Sequence, residues 1–242
     1  MNITGVNLTG LNVTDVPGVV TGNLKVSLDA STYTSGTTWA DQSGNGNDYT
    51  LVNSPTWSSS NRGIFTFSSA SSQYVNSPDY NTNYSMGTAS TPFTFEIWAK
   101  PSVSNNSGVL LDETGNVAQN GWHDVWMEFT GGNIRFSVWN NGAGWSLGAY
   151  TANLWYQIVM TYTGSTLTGY VNSAQQFSSA VTRTANGGTI YYTLAGPSDI
   201  TNLGGGGYFN GSIGAMRFYN RAITAAEVLQ NYRSLAWRYG LV

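Results

Sequence analysis

The sequence has no cysteine, one histidine, His123, and only two lysines, Lys25 and Lys100. Without cysteine, disulfides and thiolate metal sites are excluded, and the absence is compatible with either redox compartment. A single histidine rules out a His-rich metal site. His123 lies beside Asp124, but no Gly-x-Ser-x-Gly phrase supplies a nucleophile elbow, so a Ser-His-Asp triad has no support. Charged residues make up 9% of the chain, against roughly 25% in an ordinary soluble domain. With a net charge of −3 there is no basic stripe to neutralise phosphates, which argues against a nucleic-acid partner. No apolar run approaches the roughly 20 residues of a membrane span, so no membrane insertion is expected. The start, MNITGVNLTG, lacks the charged and continuous apolar regions of a signal peptide, from which use without secretion is expected.

What is present is a β-composition: 29 glycines, 14% aromatics, and abundant Ser, Thr and Asn between short apolar runs. The 242 residues suffice to bury one large core. The chain divides into an N-terminal docking arm, residues 1–23, and a domain over 24–242 that ends in a helix at 224–236. Strands are predicted at 24–29, 64–67, 72–76, 93–100, 108–112, 124–130, 133–139, 154–162, 166–171, 189–194 and 208–219. Nearly all are bounded by Gly, Asn or Ser, the pattern of a sandwich or jelly roll.

Gly131-Gly132 signals a two-residue primed turn and sets a register. Phe129 falls opposite Ile134, Met127 opposite Phe136 and Val125 opposite Val138, forming one apolar face. The other face carries Asp124, Trp126, Glu128, Arg135, Ser137 and Trp139, with Glu128 across from Arg135. Thr224-Ala225-Ala226-Glu227 is a capping box, followed by an apolar stripe of Ala225, Val228, Leu229, Tyr232 and Leu235. Arg217, Arg221, Arg233 and Arg238 are expected as surface charge around this helix.

The arm repeats one phrase three times: Asn2-Ile3-Thr4-Gly5-Val6, Asn7-Leu8-Thr9-Gly10-Leu11, Asn12-Val13-Thr14-Asp15-Val16. Its Asn-x-Thr sequons follow from the repeat. The apolar side chains Ile3, Val6, Leu8, Leu11, Val13 and Val16 are spaced by alternating steps of three and two, which fit neither a helix nor a regular strand. Three copies are too few to stack as a solenoid. An extended, bulged strand laid on a partner's sheet edge suits the spacing.

Five phrases, LDAS (28–31), WADQSGNGND (39–48), FTFEIWAKP (93–101), LWYQIVMTYTGSTLTGYVN (154–172) and GSIGAMRFYNRAITAAEVLQNY (211–232), resemble the concanavalin A-like, laminin-G-type jelly rolls. The resemblance spans residues 24–232 and implies an all-β fold of two antiparallel sheets. Domains of this kind bind sugars, proteins or calcium and are often appended to adhesins and phage virion proteins.

Three groups of residues are candidates for chemistry. Glycosidases that share this sandwich carry Glu-x-Asp-x-Glu on one strand, the outer carboxylates acting as nucleophile and acid/base. The corresponding positions here are Asp124, Trp126 and Glu128, so the middle carboxylate is replaced and the first is shortened. Glu128 reads more simply as half of an ion pair with Arg135 that would keep it ionised, and no enzyme is expected. Asp41, Asn45, Asn47 and Asp48 place oxygens around glycines in a manner that suits a hard cation such as Ca²⁺, with Asp29 or Asp112 assisting. The same residues also support tight turns, and no cofactor is required. Trp126 and Trp139, with Asp124, Glu128 and Arg135 around them, offer a carbohydrate-binding face, a protein interface, or a surface for internal packing.

The sequence reading is therefore a non-enzymatic decoration or fibre-associated protein on a phage virion surface. Residues 1–23 would hold it to capsid or fibre proteins, and a cell-surface glycan would be its ligand. The alternatives are a free extracellular carbohydrate-binding module and a glycoside hydrolase using Asp124 and Glu128. A homo-oligomer is left open.

Overall fold

The computed structural model describes residues 16–114, 125–138, 141, 144–183, 188–196 and 207–241. The apolar arm positions Ile3, Val6, Leu8, Leu11 and Val13 therefore lie outside the described residues, as do Asp124 and Trp139 of the candidate face. Val16 is described and exposed.

In chain order the strands begin β1 (Leu24–Asp29), β2 (Thr38–Trp39), β3 (Tyr49–Val52), β4 (Thr56–Ser58), β5 (Ile64–Phe67) and β6 (Tyr74–Asn76). A one-turn helix α1 (Tyr80–Tyr84) precedes β7 (Phe93–Pro101), β8 (Gly108–Thr114), β9 (Val125–Thr130), β10 (Asn133–Val138) and β11 (Trp145–Ala149). Then follow β12 (Tyr156–Tyr162), β13 (Thr166–Val171), β14 (Ala174–Ala180), β15 (Tyr191–Leu194), β16 (Gly211–Tyr219) and the helix α2 (Ala225–Leu235). They form two antiparallel sheets of eight strands each. The first runs β14-β13-β12-β7-β16-β5-β4, with β1 sharing the same side of β16 as β5. The second runs β11-β10-β9-β8-β15-β6-β3-β2.

The hairpin of β9 and β10 has the register that Gly131-Gly132 predicts, both glycines taking positive φ. Its apolar face, Val125, Met127, Phe129, Ile134, Phe136 and Val138, is buried between the sheets. Opposite lie Phe95, Ile97, Ile158, Met160, Met216 and Phe218 of the first sheet. Tyr80 of α1 plugs this core, its ring edge-on to Tyr192 and Phe218 at 4.9 and 4.7 Å between centroids.

The capping box of α2 is formed as expected, Thr224 Oγ1 accepting from Glu227 N and Glu227 Oε2 from Thr224 N. The buried side of the helix follows the apolar stripe only in part, however: Val228 is buried, and Tyr232 and Leu235 pack against the cluster around Trp98. Val228, Asn231 and Ser234 are the deeply buried residues, and Ala225 is exposed. The reason is Glu96, which is fully buried on the outward face of β7. Its Oε1 accepts from Trp98 Nε1 (2.9 Å), Gln157 Nε2 (3.0 Å) and Arg217 (3.0 Å), and its Oε2 from Asn231 Nδ2 (2.6 Å). A buried carboxylate must be paired, and α2 turns an amide toward it.

Two expectations are corrected here. Arg217 and Arg238 are not surface charge: they are buried ion-pair partners of Glu96 and Asp29, at 3.0 and 2.7 Å. Residues 18–23, placed in the arm by sequence, lie against α2 and β16. Gly18 O accepts from Gln230, Val20 N donates to Asn231 Oδ1 (2.8 Å), and Val20 O accepts from Tyr219 OH (3.0 Å). Val20 is buried with Val159, Tyr170 and Val228, because those side chains leave an apolar notch beside α2.

Candidate functional site

The outward face of the second sheet collects residues from six strands. Thr50, Asn76, Thr193, Asp112, Trp126 and Ser137 stand opposite one another in succession along β3, β6, β15, β8, β9 and β10. Their neighbours Leu51, Val75, Leu194, Leu111, Met127 and Phe136 point into the core, which fixes this row on the outer side. The row runs from exposed Thr50 through half-buried Asn76 to buried Thr193 and Asp112, then to half-buried Trp126. Glu128 and Arg135 form the adjacent rung.

Glu128 and Arg135 pair at 3.5 Å, with side-chain exposures of 1% and 32%. The expectation that this pair keeps Glu128 readily ionised is corrected. Burial raises its carboxyl above the ordinary range, and nearby Asp112 adds to the rise; Arg135 and the neighbouring Trp126 indole only partly oppose it. One oxygen, Glu128 Oε2, is buried and has no hydrogen-bond partner among the described residues. Trp126, Glu128 and Arg135 are thus brought together as the hairpin register requires.

Asp112, Thr193 and Asn76 were not assigned to this face by sequence. A bulge between Val109 and Leu111 breaks the alternation of β8, so its outward side could not be counted off from either end. For Thr193 and Asn76, only the pairing of β15 with β6 and β8 gives them a place in the row.

The loop at Asp41 serves a different purpose. Asp41 Oδ1 accepts the N–H groups of Ser27 and Ser43, both at 2.8 Å. Its Oδ2 accepts the Ser43 hydroxyl (2.7 Å) and the Asn47 N–H (3.1 Å). Asp48 Oδ1 accepts Asp41 N–H, while the Asn45 and Asn47 amides donate to the carbonyls of Leu24 and Lys25. Four donors leave the Asp41 carboxylate no lone pair directed to a cation, and Asp41, Asp48, Asn45 and Asn47 are all engaged in bonds within or beside the loop. They pin the loop to β1. Among the described residues, no group of three or more His, Asp or Glu is arranged to hold a metal.

Residues 68–229 match the concanavalin A-like lectin/glucanases superfamily. The chain belongs to that superfamily. Its members' fold recurs in solved structures at low sequence identity. Domain 4 of AbnA, a GH43 extracellular arabinanase from Geobacillus stearothermophilus, in complex with arabinotriose, is 13% identical with a TM-score of 0.65; the match covers 87% of this chain and 98% of that one. The binding domain of botulinum neurotoxin DC in complex with SialylT is 14% identical, TM-score 0.65, over 89% of this chain and 52% of that one. Trypanosoma rangeli sialidase in complex with the inhibitor DANA is 14% identical, TM-score 0.62, over 86% of this chain. The chain spans only about a third of the sialidase, with 32% of it covered. These likenesses are ones of fold. No curated protein matches the chain in sequence. Among the described residues, no helix is long and apolar enough to cross a membrane.

Proposed function

We propose that this superfamily member is a non-enzymatic glycan-binding module whose site is the outward face of the second sheet. Trp126 would stack on a sugar ring, and Glu128, Arg135 and Asp112 would take its hydroxyls. The observation that carries the reading is Glu128 itself. It is a buried carboxyl beside a half-buried indole, with one oxygen lacking a partner among the described residues, and a sugar hydroxyl is a donor that would satisfy it. Hydrolysis is disfavoured because the sequence carries tryptophan, not a carboxylate, between Asp124 and Glu128. Neighbours of the same fold with an arabinotriose and a SialylT complex support a sugar ligand.

The test is a glycan array followed by calorimetric titration of the best binder. Trp126→Ala should weaken binding by about tenfold or more, as the loss of a central aromatic anchor does. Full binding by a Trp126→Ala, Trp139→Ala double variant would remove the proposal. Hydrolysis that disappears in Glu128→Gln would instead assign an enzyme.

The same reading attaches the module to a larger assembly, with a phage virion surface as the favoured setting and the repeated phrase at 2–16 as the attachment. It is supported by residues 18–23 being held on α2, which gives the preceding segment a fixed point of departure. Removal of residues 1–16 should then abolish particle association while leaving glycan affinity unchanged. Retained association would reject the attachment.

A further inference from the structure

A second exposed aromatic site lies at the far edge of the first sheet, around the turn after β4. Asn61 and Arg62 both have left-handed backbone, with φ of 49° and 62°, and are followed by Gly63 at φ 132°. Left-handed geometry is unfavourable for side-chain-bearing residues and persists only where the surroundings enforce it. Here the buried guanidinium of Arg238 enforces it. Arg238 donates to Asn61 O (2.5 Å), Gly63 O (2.7 Å) and Asp29 Oδ1 (2.7 Å), and Asn61 Nδ2 returns a bond to Arg238 O (2.8 Å).

The clamp lays the exposed Arg62 over Trp237, its guanidinium carbon 4.5 Å from the ring centroid. Trp237 is 40% exposed and Trp57 is 38% exposed. Trp57 reaches the other side of the turn, donating its indole N–H to Ala30 O at 2.8 Å, the carbonyl against which Gly63 packs. Both indole N–H groups are spent on backbone carbonyls, Trp237's on Ser234 O at 2.9 Å, so each ring is fixed in orientation. Arg135, Arg183, Arg217, Arg221 and Arg238 are paired with carboxylates, whereas Arg62 has none among the described residues. A guanidinium held over a ring face, without a carboxylate partner, has N–H donors to offer a planar anion.

We propose that Trp57, Arg62 and Trp237 form a second ligand site, one that takes an acidic saccharide: its carboxylate on the Arg62 fork and its apolar ring face on an indole. The inference rests on the reading of this chain as a glycan-binding module, but on a different sheet and on different residues. The turn, locked by a buried ion pair, presents a cation with no carboxylate partner among the described residues over one exposed indole, Trp237, while a second exposed indole, Trp57, stands on the strand before it. It does what a binding site requires, which is to fix the recognition group before the ligand arrives.

The full chain is titrated calorimetrically with a glucuronate-containing oligosaccharide and with its carboxyl-reduced, neutral counterpart. The acidic form is expected to bind at least tenfold more tightly than the neutral one, with affinity falling as salt rises. Arg62→Gln should lose that preference, Arg62→Lys should retain part of it, and Trp237→Ala should weaken both forms. Both positions are exposed, and melting curves establish that each variant is folded. Equal binding of the two forms, no binding of the acidic form, or an unchanged preference in Arg62→Gln would overturn the site. So would a change of oligomeric state in Trp237→Ala by sedimentation, which would make the patch a subunit contact. Trp126→Ala separates the two readings. Binding that depends on Trp126 but not Arg62 leaves only the face on the second sheet. Binding that depends on Arg62 but not Trp126 leaves only this site.

Discussion

Glu96 and Glu128 are both buried glutamates on outward-facing positions, and their surroundings give them opposite roles. Glu96 receives four donors, one of them from Arg217, and its removal would strand that guanidinium beneath α2. Glu96→Ala should therefore cost about 3–5 kcal/mol, read by urea denaturation, because an unpaired buried charge remains. Glu128 is under-satisfied, and burial raises its carboxyl pKa. A raised folded-state pKa means that the folded protein binds the proton more tightly than the unfolded chain does. Stability then declines as pH rises from the ordinary carboxylate range through the raised value. Glu128→Gln should melt at the same or a higher temperature than the parent at about pH 8. That advantage should shrink at about pH 4, where the parent carboxyl is protonated. A variant less stable than the parent at about pH 8 would show that the Arg135 pair dominates. The sequence placed Glu128 opposite Arg135, but only the packing around β9 shows that desolvation outweighs the pair.

At the scale of elements, α2 and its cap decide how the first sheet is covered. Glu227 accepts from Arg221 at 2.6 Å and closes the capping box, and the Arg221 bond, chief among these interactions, lowers its pKa to about 2. With the folded pKa depressed, its stabilisation is present above about 4.5 and is lost as pH falls toward about 2. The melting-temperature gap between the parent and Glu227→Gln should close over that interval. Beyond α2 the chain brings the Tyr239 phenol against Gly214 of β16, where any Cβ would overlap its hydroxyl. Gly214→Ala should cost about 1–3 kcal/mol by overpacking and release the 236–239 turn that carries Trp237. The box was legible because Thr224 and Glu227 are three residues apart, a local signal. The glycine was not, because its constraint comes from a residue 25 positions later in the chain. The strands that escaped sequence reading, β2, β3, β4, β11 and β14, are short or carry polar residues on both faces, as in AQQFSSA of β14. Except for β3, which is only four residues long, these strands lie at sheet edges, which bury too little to impose alternation.

For the molecule as a whole, β1 and β16 join the two ends of the chain: Leu24 pairs with Tyr219 and Asp29 with Ala215. Residues 18–23 extend this union onto α2. A chain beginning at residue 24 should therefore be less stable than one beginning at residue 17 by about 2–4 kcal/mol, from the loss of Val20 burial and its two backbone bonds. Equal unfolding midpoints would return residues 18–23 to the arm. Because such pairings lie nearly the full chain length apart, refolding should fall in the slow, millisecond-to-second range of β-sandwiches, measurable by stopped-flow fluorescence.

What the sequence determined alone was whatever depends on neighbours within a few positions. It settled the Gly131-Gly132 turn and the register that follows, the Thr224 cap, and the strand phrases whose order marks the superfamily. Turn chemistry and period-two alternation act over such short spans that no distant residue is needed to read them. Tertiary structure alone decided which distant polar groups meet. It brought Asn231 to Glu96, assembled the row from Thr50 to Ser137 across six strands, and set Arg238 beneath the turn that holds Arg62 over Trp237. Those meetings follow from sheet order and from the requirement that buried charge be paired, and neither is written in any local stretch of the chain.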